Sequence, residues 1–508
     1  MSASANCPSC AAPMTFRAAT TLLAVCAACR CIVVRGGAAL EAVGRSNEVL
    51  VTGSALKLGL SARYRGKAFS VIGRTQLQHD AGGIWDEWLI RFADDKLAWI
   101  SESQGRLALY AEETLHSAPA LLRPSDAVPG SQHLTPVGTL VVLERGEASV
   151  VAEEGELVTR TLPGARRPFV DFSSRGGRCA TLDFGSVGDD GSPARMRFFV
   201  GRNLRYAELG LDAAPVLAPK LPSVPGATAI HCPHCAAPLE KPRTDSLSVS
   251  CAHCGSLLTV TDGAVAFLSV QESLKYRPLL VLGTRATLDA EFFCNDRKLN
   301  TTAKPWLHDL GVEVVAHVVR SVMIDGAFYT FEEYLLATER DGFFWLVQSD
   351  GNWLFVRDLD AGEVKRDGRH ARIGADVFQF EQSVEARVEQ VLGELPYRVT
   401  QGETAKLIDF RRAPRTLSRE QTGNEALWTE CLDIPRAQLQ RVFGVSVPVP
   451  SDDSDSENMP ANAFIAALAI LLFISFVYML ENCEDNDEDG NYGGHVGSSH
   501  SGGFSFGK

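Results

Sequence analysis

The sequence predicts a mainly β protein: two tandem units, each a four-cysteine ribbon followed by an antiparallel β-rich domain, and then one transmembrane helix. Three observations predict it. The spacing C-x2-C-x15-C-x2-C occurs twice, at Cys7, Cys10, Cys26 and Cys29 and again at Cys232, Cys235, Cys251 and Cys254. Aromatic-rich blocks downstream of each motif recur in the same order. Near the C-terminus an uncharged apolar run is long enough to cross a bilayer.

The ribbons come first. Eight of the 13 cysteines fall in C-x-x-C pairs, which is metal-ligand spacing rather than a secreted disulfide framework. The N-terminal residues lack the charged start and apolar core of a signal peptide, so the domains are expected to stay in the reducing cytoplasm. Each C-x-x-C turn offers two thiolates on one side, and two turns joined by a hairpin close a tetrahedral shell, which suits Zn2+. Two structural zinc ions, one per ribbon, are the expected cofactors. A redox dithiol is the alternative, but it suits a single C-x-x-C near a βαβ unit. The text around the knuckles also matches, CPSCAAPM at 7–14 and CPHCAAPL at 232–239. Gly255 follows Cys254 and suits a left-handed turn, whereas the first ribbon has Arg30 there. A looser first knuckle is therefore expected, with Cys31 as a competing ligand. Cys179, Cys294 and Cys431 have no spacing partners and read as small core residues. His231, His234 and His253, beside the second set, read as surface neighbours.

The β domains follow. Residues 85–105 align without gaps to 331–351, placing Trp85, Glu87, Trp88 and Leu89 over Phe331, Glu333, Tyr334 and Leu335. Further on, Gly155-Glu156-Leu157 lies over Gly393-Glu394-Leu395, and Asp171-Phe172 over Asp409-Phe410. These blocks are short β-branched and aromatic runs separated by turn dipeptides, such as Asp341-Gly342 and Asp350-Gly351, and so predict antiparallel meanders. Helical periodicity is scarce, with weak candidates at Ser383–Leu392 and Pro435–Phe443. The expected boundaries are 1–45 for ribbon 1, 46–211 for β-rich domain 1 and 212–228 for a Pro/Ala spacer. Ribbon 2 then spans 229–265 and β-rich domain 2 spans 266–447. An acidic linker at 448–459, a transmembrane helix at 460–480 and an acidic, then Gly/Ser/His-rich tail at 481–508 complete the chain.

The motif Gly-x4-Tyr-x-Gly-x-x-Phe-x-Val-Ile-Gly-Arg at Gly59–Arg74 precedes Trp-x-Glu-Trp-Leu and a further Trp about ten residues on. With Arg320 standing for Arg74 in the second copy, this pattern resembles domain-of-unknown-function family 4178. The resemblance implies a β-rich fold, often accompanied by zinc-ribbon segments and membrane anchors, and it carries no catalytic residues.

The apolar run Ala463–Leu480 becomes 21 residues when started at Pro460, roughly 31 Å of helix at about 1.5 Å per residue. Arg436 and Arg441 precede it and only Lys508 follows, so the positive-inside bias puts the body in the cytoplasm and the short tail across the inner membrane. The net charge of −13 is concentrated at this end: residues 451–507 hold ten acids and no base. The body is thus near neutral, which disfavours nucleic acid as a partner. No nucleophile elbow, phosphate loop or H-E-x-x-H is present. Glu87 and Glu333, acids flanked by aromatics, are expected to face solvent, and His79-Asp80 to mark a turn. The function these features predict is a membrane-anchored zinc-binding scaffold that recruits a protein partner without catalysis. The alternatives are a zinc-ribbon nucleic-acid binder and an enzyme with its site in a β-domain cleft.

Overall fold

The computed structural model describes residues 3–446, apart from scattered positions and the stretches 187–194, 212–229 and 294–309. The Pro/Ala spacer, the acidic linker, the apolar span at 460–480, the tail and Cys294 lie outside the described residues. Among the described residues no helix is long and apolar enough to cross a membrane.

The described chain is mainly strand. Its first part comprises β1 (Ala3–Asn6), β2 (Pro13–Phe16), β3 (Leu23–Val25), β4 (Cys31–Gly36), β5 (Ala39–Arg45), β6 (Ser61–Tyr64), β7 (Lys67–His79), β8 (Ile84–Phe92), β9 (Leu97–Ser103), β10 (Arg106–Glu113), β11 (Gln132–Thr135), β12 (Gly138–Leu157), β13 (Arg166–Ser174), β14 (Arg178–Asp183) and β15 (Arg197–Leu204). Its second part comprises β16 (Ser248–Ser250), β17 (Leu257–Thr261), β18 (Ala264–Ser269), β19 (Arg285–Leu288), β20 (Leu310–Ile324), β21 (Ala327–Thr338), β22 (Phe343–Ser349), β23 (Asn352–Leu359), β24 (Val364–Asp367), β25 (His370–Ile373), β26 (Asp376–Leu395), β27 (Thr404–Arg412), β28 (Arg415–Gln421) and β29 (Ala426–Ile434), closed by helix α1 (Arg436–Phe443).

Two sheets carry the cores, and each contains a closed circuit. In the first, the order β12-β13-β14-β15-β10-β9-β8-β7 returns to β12 through a β12–β7 pairing. In the second, β26-β27-β28-β29-β23-β22-β21-β20 returns to β26 in the same way. Each circuit is an antiparallel eight-stranded barrel, a size whose interior side chains fill or which holds one small ligand. The meander expected from the sequence is present, and closure adds to it. Its hairpins form as the turn residues dictate: Gln104 (φ 48°) and Gly105 (φ 77°) join β9 to β10, with Gly351 (φ 78°) between β22 and β23.

The two 20-residue strands, β12 and β26, do more than close the barrels. Their last residues pair with the ribbons, Glu156↔Ala24 and Leu157↔Leu23 in one case, Glu394↔Val249 and Leu395↔Ser248 in the other. Each ribbon sheet is therefore continuous with its barrel. Just before this junction Gly155 (φ 73°) and Gly393 (φ 90°) turn the strand, and a Cβ at either would sit 2.3 or 2.2 Å from a backbone carbonyl oxygen. Only glycine fits both the left-handed backbone and the close approach.

Of three expectations settled here, two are corrected and one stands. Ser383–Leu392 is not helical; it lies inside β26, pairing with β27 up to Arg387 and with β20 from Ala386 on. Pairing with two neighbours outweighs a weak helical period. Pro435–Phe443 does form a helix, as α1 with Gly444 as its left-handed cap. The match of Arg320 to Arg74 fails on register. Arg74 faces Trp88 and Leu77 faces Trp85 across the first hairpin, whereas His317 faces Tyr334 and Arg320 faces Phe331 across the second. With Trp85–Leu89 over Phe331–Leu335, Arg74 falls on His317 and Arg320 on Leu77. The β20–β21 hairpin is longer by three residues, so an ungapped alignment slips on its upstream side.

Candidate metal centres and the buried charges behind them

Each cysteine quartet is assembled by two knuckles of the same form. In every knuckle the first ligand's own amide donates to the carbonyl five residues on: Cys7 N–H to Ala12 O at 2.8 Å, Cys26 to Cys31 O at 2.9 Å, Cys232 to Ala237 O at 2.9 Å and Cys251 to Ser256 O at 2.9 Å. A second bond runs back to the first cysteine's carbonyl from Ala11, Arg30, Ala236 and Gly255, at 2.8–2.9 Å. All four of these residues have positive φ, 61°, 60°, 61° and 71° in that order. Arg30 thus adopts the conformation of Gly255, and the first knuckle is no looser than the second. The hydrogen bond to Cys26 O holds a residue that would otherwise disfavour this backbone.

The sulfurs of Cys7, Cys10, Cys26 and Cys29 all lie within 4.8 Å of one another, as do those of Cys232, Cys235, Cys251 and Cys254. Cys7–Cys29 and Cys10–Cys26 are 3.7 Å apart, and Cys232–Cys254 and Cys235–Cys251 are 3.8 Å apart. A tetrahedral ion with metal–sulfur bonds of about 2.3 Å needs sulfur–sulfur edges of about 3.8 Å. Both quartets are therefore close enough to hold a metal ion of zinc type. The leading cysteine of each knuckle is buried and the trailing one turns outward. Cys31 is outside the quartet: it sits in β4, packed against Met14, Phe16 and Val33. Burial pushes its thiol up, and the neighbouring Cys7 and Cys29 push it the same way. His231, His234 and His253 are exposed, as read from the sequence, with His234 stacked on Phe267. Cys179 and Cys431 are buried core residues.

Behind each ribbon stands a carboxylate the sequence analysis did not single out. Glu156 accepts hydrogen bonds from Arg17 N–H (2.7 and 2.8 Å), Ala18 N–H (3.0 Å) and the Thr21 hydroxyl (2.7 Å), all in the segment between the knuckles of ribbon 1. Glu394 accepts from Arg243 N–H at 3.1 Å and from the Ser246 hydroxyl at 2.7 Å in ribbon 2. The Gly-Glu-Leu blocks recognised as repeats were thus the signal for this contact.

The barrel interiors are polar to a degree the sequence did not predict. Glu87 is 5% exposed and Glu333 fully buried, so neither faces solvent. A closed barrel has no solvent face on its inside, and the alternation that points Leu77 and Leu89 inward also points Glu87 inward. Each acid is answered by an arginine, and the two arginines come from different strands. Arg167 on β13 lies 3.9 Å from Glu87 and 2.5 Å from Asp183. Arg320 on β20 lies 3.3 Å from Glu333 and 3.7 Å from Glu420. Burial acts against the Arg167 charge, but Asp183, Glu87 and Glu153 outweigh it and raise its pKa. Deeper in the second barrel, burial lifts Asp409 to about 7 against the bonds it accepts from Ser418 and Gln382. On the outer wall of each barrel a base meets an acid. Arg74 binds Asp86 through two bonds of 2.8 and 2.9 Å, and at the matching positions His317 Nε2 meets Glu332 at 3.0 Å.

His79-Asp80 is more than a turn. The ring, 4% exposed, lies with Nδ1 2.8 Å from Asp80 and Nε2 3.0 Å from Glu144. Burial disfavours its charge, but Glu144 and Asp80 prevail and lift its pKa to about 10.

An antiparallel barrel fused to a four-cysteine ribbon is the class of module that fold and site define. Residues 313–436, from within β20 to the start of α1, match a family described as a domain of unknown function, DUF4178. That stretch is the second barrel, and the match agrees with the family resemblance read from the sequence. No curated protein and no solved structure matches the chain.

Proposed function

We propose that the chain is a membrane-anchored zinc-binding scaffold, made of a duplicated ribbon-and-barrel unit, that recruits a protein partner. The observation that carries the metal part is the set of sulfur edges at 3.7–3.8 Å. Four thiolates leave no open position on the ion, so the zinc is structural rather than catalytic. Its ligands are Cys7, Cys10, Cys26 and Cys29 in one copy and Cys232, Cys235, Cys251 and Cys254 in the other. Duplication is supported by the shared order of the barrel strands and by the paired Glu156 and Glu394 contacts. The anchor is the apolar stretch 460–480, with the body on the cytoplasmic face of the inner membrane, where tethering raises local concentration and favours weak contacts.

The test has two parts. Elemental analysis of the purified full-length chain is expected to return two zinc ions per chain. Deleting 460–508 is expected to move the body from the membrane to the soluble fraction, with its zinc and melting temperature kept. A body that stays with membranes, or loses its zinc, rejects the proposal. Crosslinking and pull-down from solubilised membranes then identifies the partner, with the deletion as control.

A further inference from the structure

We infer that the outer face of ribbon 2 docks on the headgroup region of a lipid bilayer, with Phe267, Val270, Leu274 and Val281 entering the interface and Lys275 and Arg277 meeting its phosphates. This contact, which rests on the reading of 460–480 as a membrane span, adds a peripheral surface to the anchor.

The two ribbons share this face in form but not in chemistry. β5 and β18 each end their sheet. Their registers match: Ile32 faces Gly44 and Val33 faces Ala42 in ribbon 1, while Leu257 faces Ser269 and Leu258 faces Phe267 in ribbon 2. Glu41, Ala42 and Arg45 therefore stand where ribbon 2 has Ala266, Phe267 and Val270. Charged side chains are a usual means of keeping an open edge solvated and unpaired. β5 carries two, and the six residues of β18 carry none. Phe267, Val270 and Leu274 are each more than two-fifths exposed, yet they are held from behind. Phe267 stacks on His234 of the first knuckle, with ring centroids 5.5 Å apart, where ribbon 1 has Ser9. Leu274 lies over the second knuckle, so close that a Cβ on Gly255 would be 3.0 Å from it. Between them the buried Gln271 donates to Gly255 O at 2.6 Å and Val391 O at 2.8 Å, and accepts the Val391 N–H at 2.7 Å.

Position favours a bilayer as the occupant. α1 ends with Arg441 bonded to Asp289 at 2.7 and 2.9 Å, just past β19, which pairs with the first residues of β20. Val442 and Val445 pack on the same cluster as Leu279 and Leu282, which bracket the exposed Val281. Ribbon 2 joins β26 next to Gly393, opposite Ala316 of β20. Leu310 to Ala316 covers about 20 Å of strand, so the ribbon and the point where the chain leaves share one end of the barrel. Another exposed apolar pair of this unit, Met323 and Phe328, is at the β20–β21 hairpin tip, about 45 Å along the same strand. From Ser446 to Pro460 the chain reaches at most about 50 Å, so the span keeps the ribbon end, rather than the hairpin tip, close to the membrane. Lys275 and Arg277 are exposed beside Leu274. Apolar side chains next to cations suit an interface where the former sink and the latter stay at the phosphates.

The test uses the full-length chain in nanodiscs of equal parts phosphatidylcholine and phosphatidylglycerol, with a trace of phospholipid carrying a diazirine at the top of its acyl chain. After illumination, lipid adducts are mapped by mass spectrometry. Adducts are expected in 460–480 and in 264–281, the latter at least about tenfold above 39–50 of ribbon 1, as the loss of one aromatic contact predicts. The hairpin 323–328 is expected to stay at the ribbon 1 level. The triple variant Ala266→Glu, Phe267→Ala, Val270→Arg, which copies ribbon 1, is expected to bring 264–281 down to that level with 460–480 still labelled and zinc content unchanged. Labelling of 460–480 with 264–281 no higher than 39–50 leaves the anchor standing and overturns the docking. Labelling of 264–281 that persists in the triple variant also overturns it. Absence of adducts from 460–480 rejects the anchor and the docking together. If the triple variant loses zinc, the wild-type ratio between the two ribbons decides alone. Protection of β18 amides from hydrogen exchange without lipid adducts assigns the face to a protein and is equally fatal.

Discussion

Removing the Glu156 carboxylate is expected to unseat ribbon 1 from its barrel. The side chain is buried, and its two oxygens receive two backbone N–H groups and one hydroxyl at 2.7–3.0 Å. In Glu156→Ala these donors lose their charged acceptor with little water to replace it. A hydrogen bond to a charged group contributes about 1.5–3 kcal/mol, and the three share one acceptor, so a combined loss of about 3–5 kcal/mol is expected. The internal control is Glu394→Ala. Glu394 is about one-fifth exposed and receives one backbone N–H and one hydroxyl, so its loss is expected to cost about 1–3 kcal/mol. The assay is urea unfolding of both variants, read beside the rate at which a chelator strips zinc from each quartet. Glu156→Ala is expected to speed release from ribbon 1 only. Equal destabilisation by the two variants, or a Glu156→Ala loss below about 0.5 kcal/mol, refutes the assignment of Glu156 as the clasp, since surface changes have effects of that size.

Three further outcomes are expected. Cys31→Ser leaves zinc stoichiometry unchanged, because its sulfur packs against Met14 and Phe16 outside the quartet, whereas Cys26→Ser removes one zinc; metal analysis of both variants checks this. His79, raised to about 10 by Glu144 and Asp80 against the effect of burial, contributes stability that is complete below its unfolded pKa near 6.5 and is lost as pH rises through about 10. Melting curves from pH 6 to pH 10 are expected to fall more steeply for wild type than for His79→Gln. Gly393→Ala combines a left-handed backbone, worth about 1–2 kcal/mol, with overpacking against the Val315 carbonyl, worth about 1–3 kcal/mol. A loss of about 2–5 kcal/mol in urea unfolding is therefore expected, and a neutral variant contradicts the close approach.

The ribbons and the hairpins were legible because their signals are local. C-x-x-C fixes two ligands within one turn, and Gln104-Gly105 fixes a hairpin within two residues. Barrel closure was not, since it depends on β12 meeting β7 across more than sixty residues, and no short window records that pairing. Glu87 and Glu333 were misplaced for the same reason. A charged residue flanked by aromatics reads as solvent-facing on an open sheet, and only closure turns its side inward. Their compensation was invisible too, because the arginine that answers each comes from a different strand. The slip of Arg320 onto Arg74 shows the limit of ungapped matching: three residues added at a hairpin tip move every upstream side chain, while both arginines find an acid and hide the error. The Gly-Glu-Leu repeat was noticed without its meaning, since the donors that bind its glutamate lie in the ribbon, 135 to 139 residues earlier for Glu156.

That distance orders events during synthesis. Cys29 leaves the ribosome well over a hundred residues before Glu156, so the first quartet is complete and able to take metal while its resting place is still untranslated. Once β12 arrives, one continuous strand must satisfy ribbon and barrel together, and a frame error at either end is felt by the other. With zinc bound as proposed, the closed knuckle is expected to give the incoming strand a fixed edge against which to set its register.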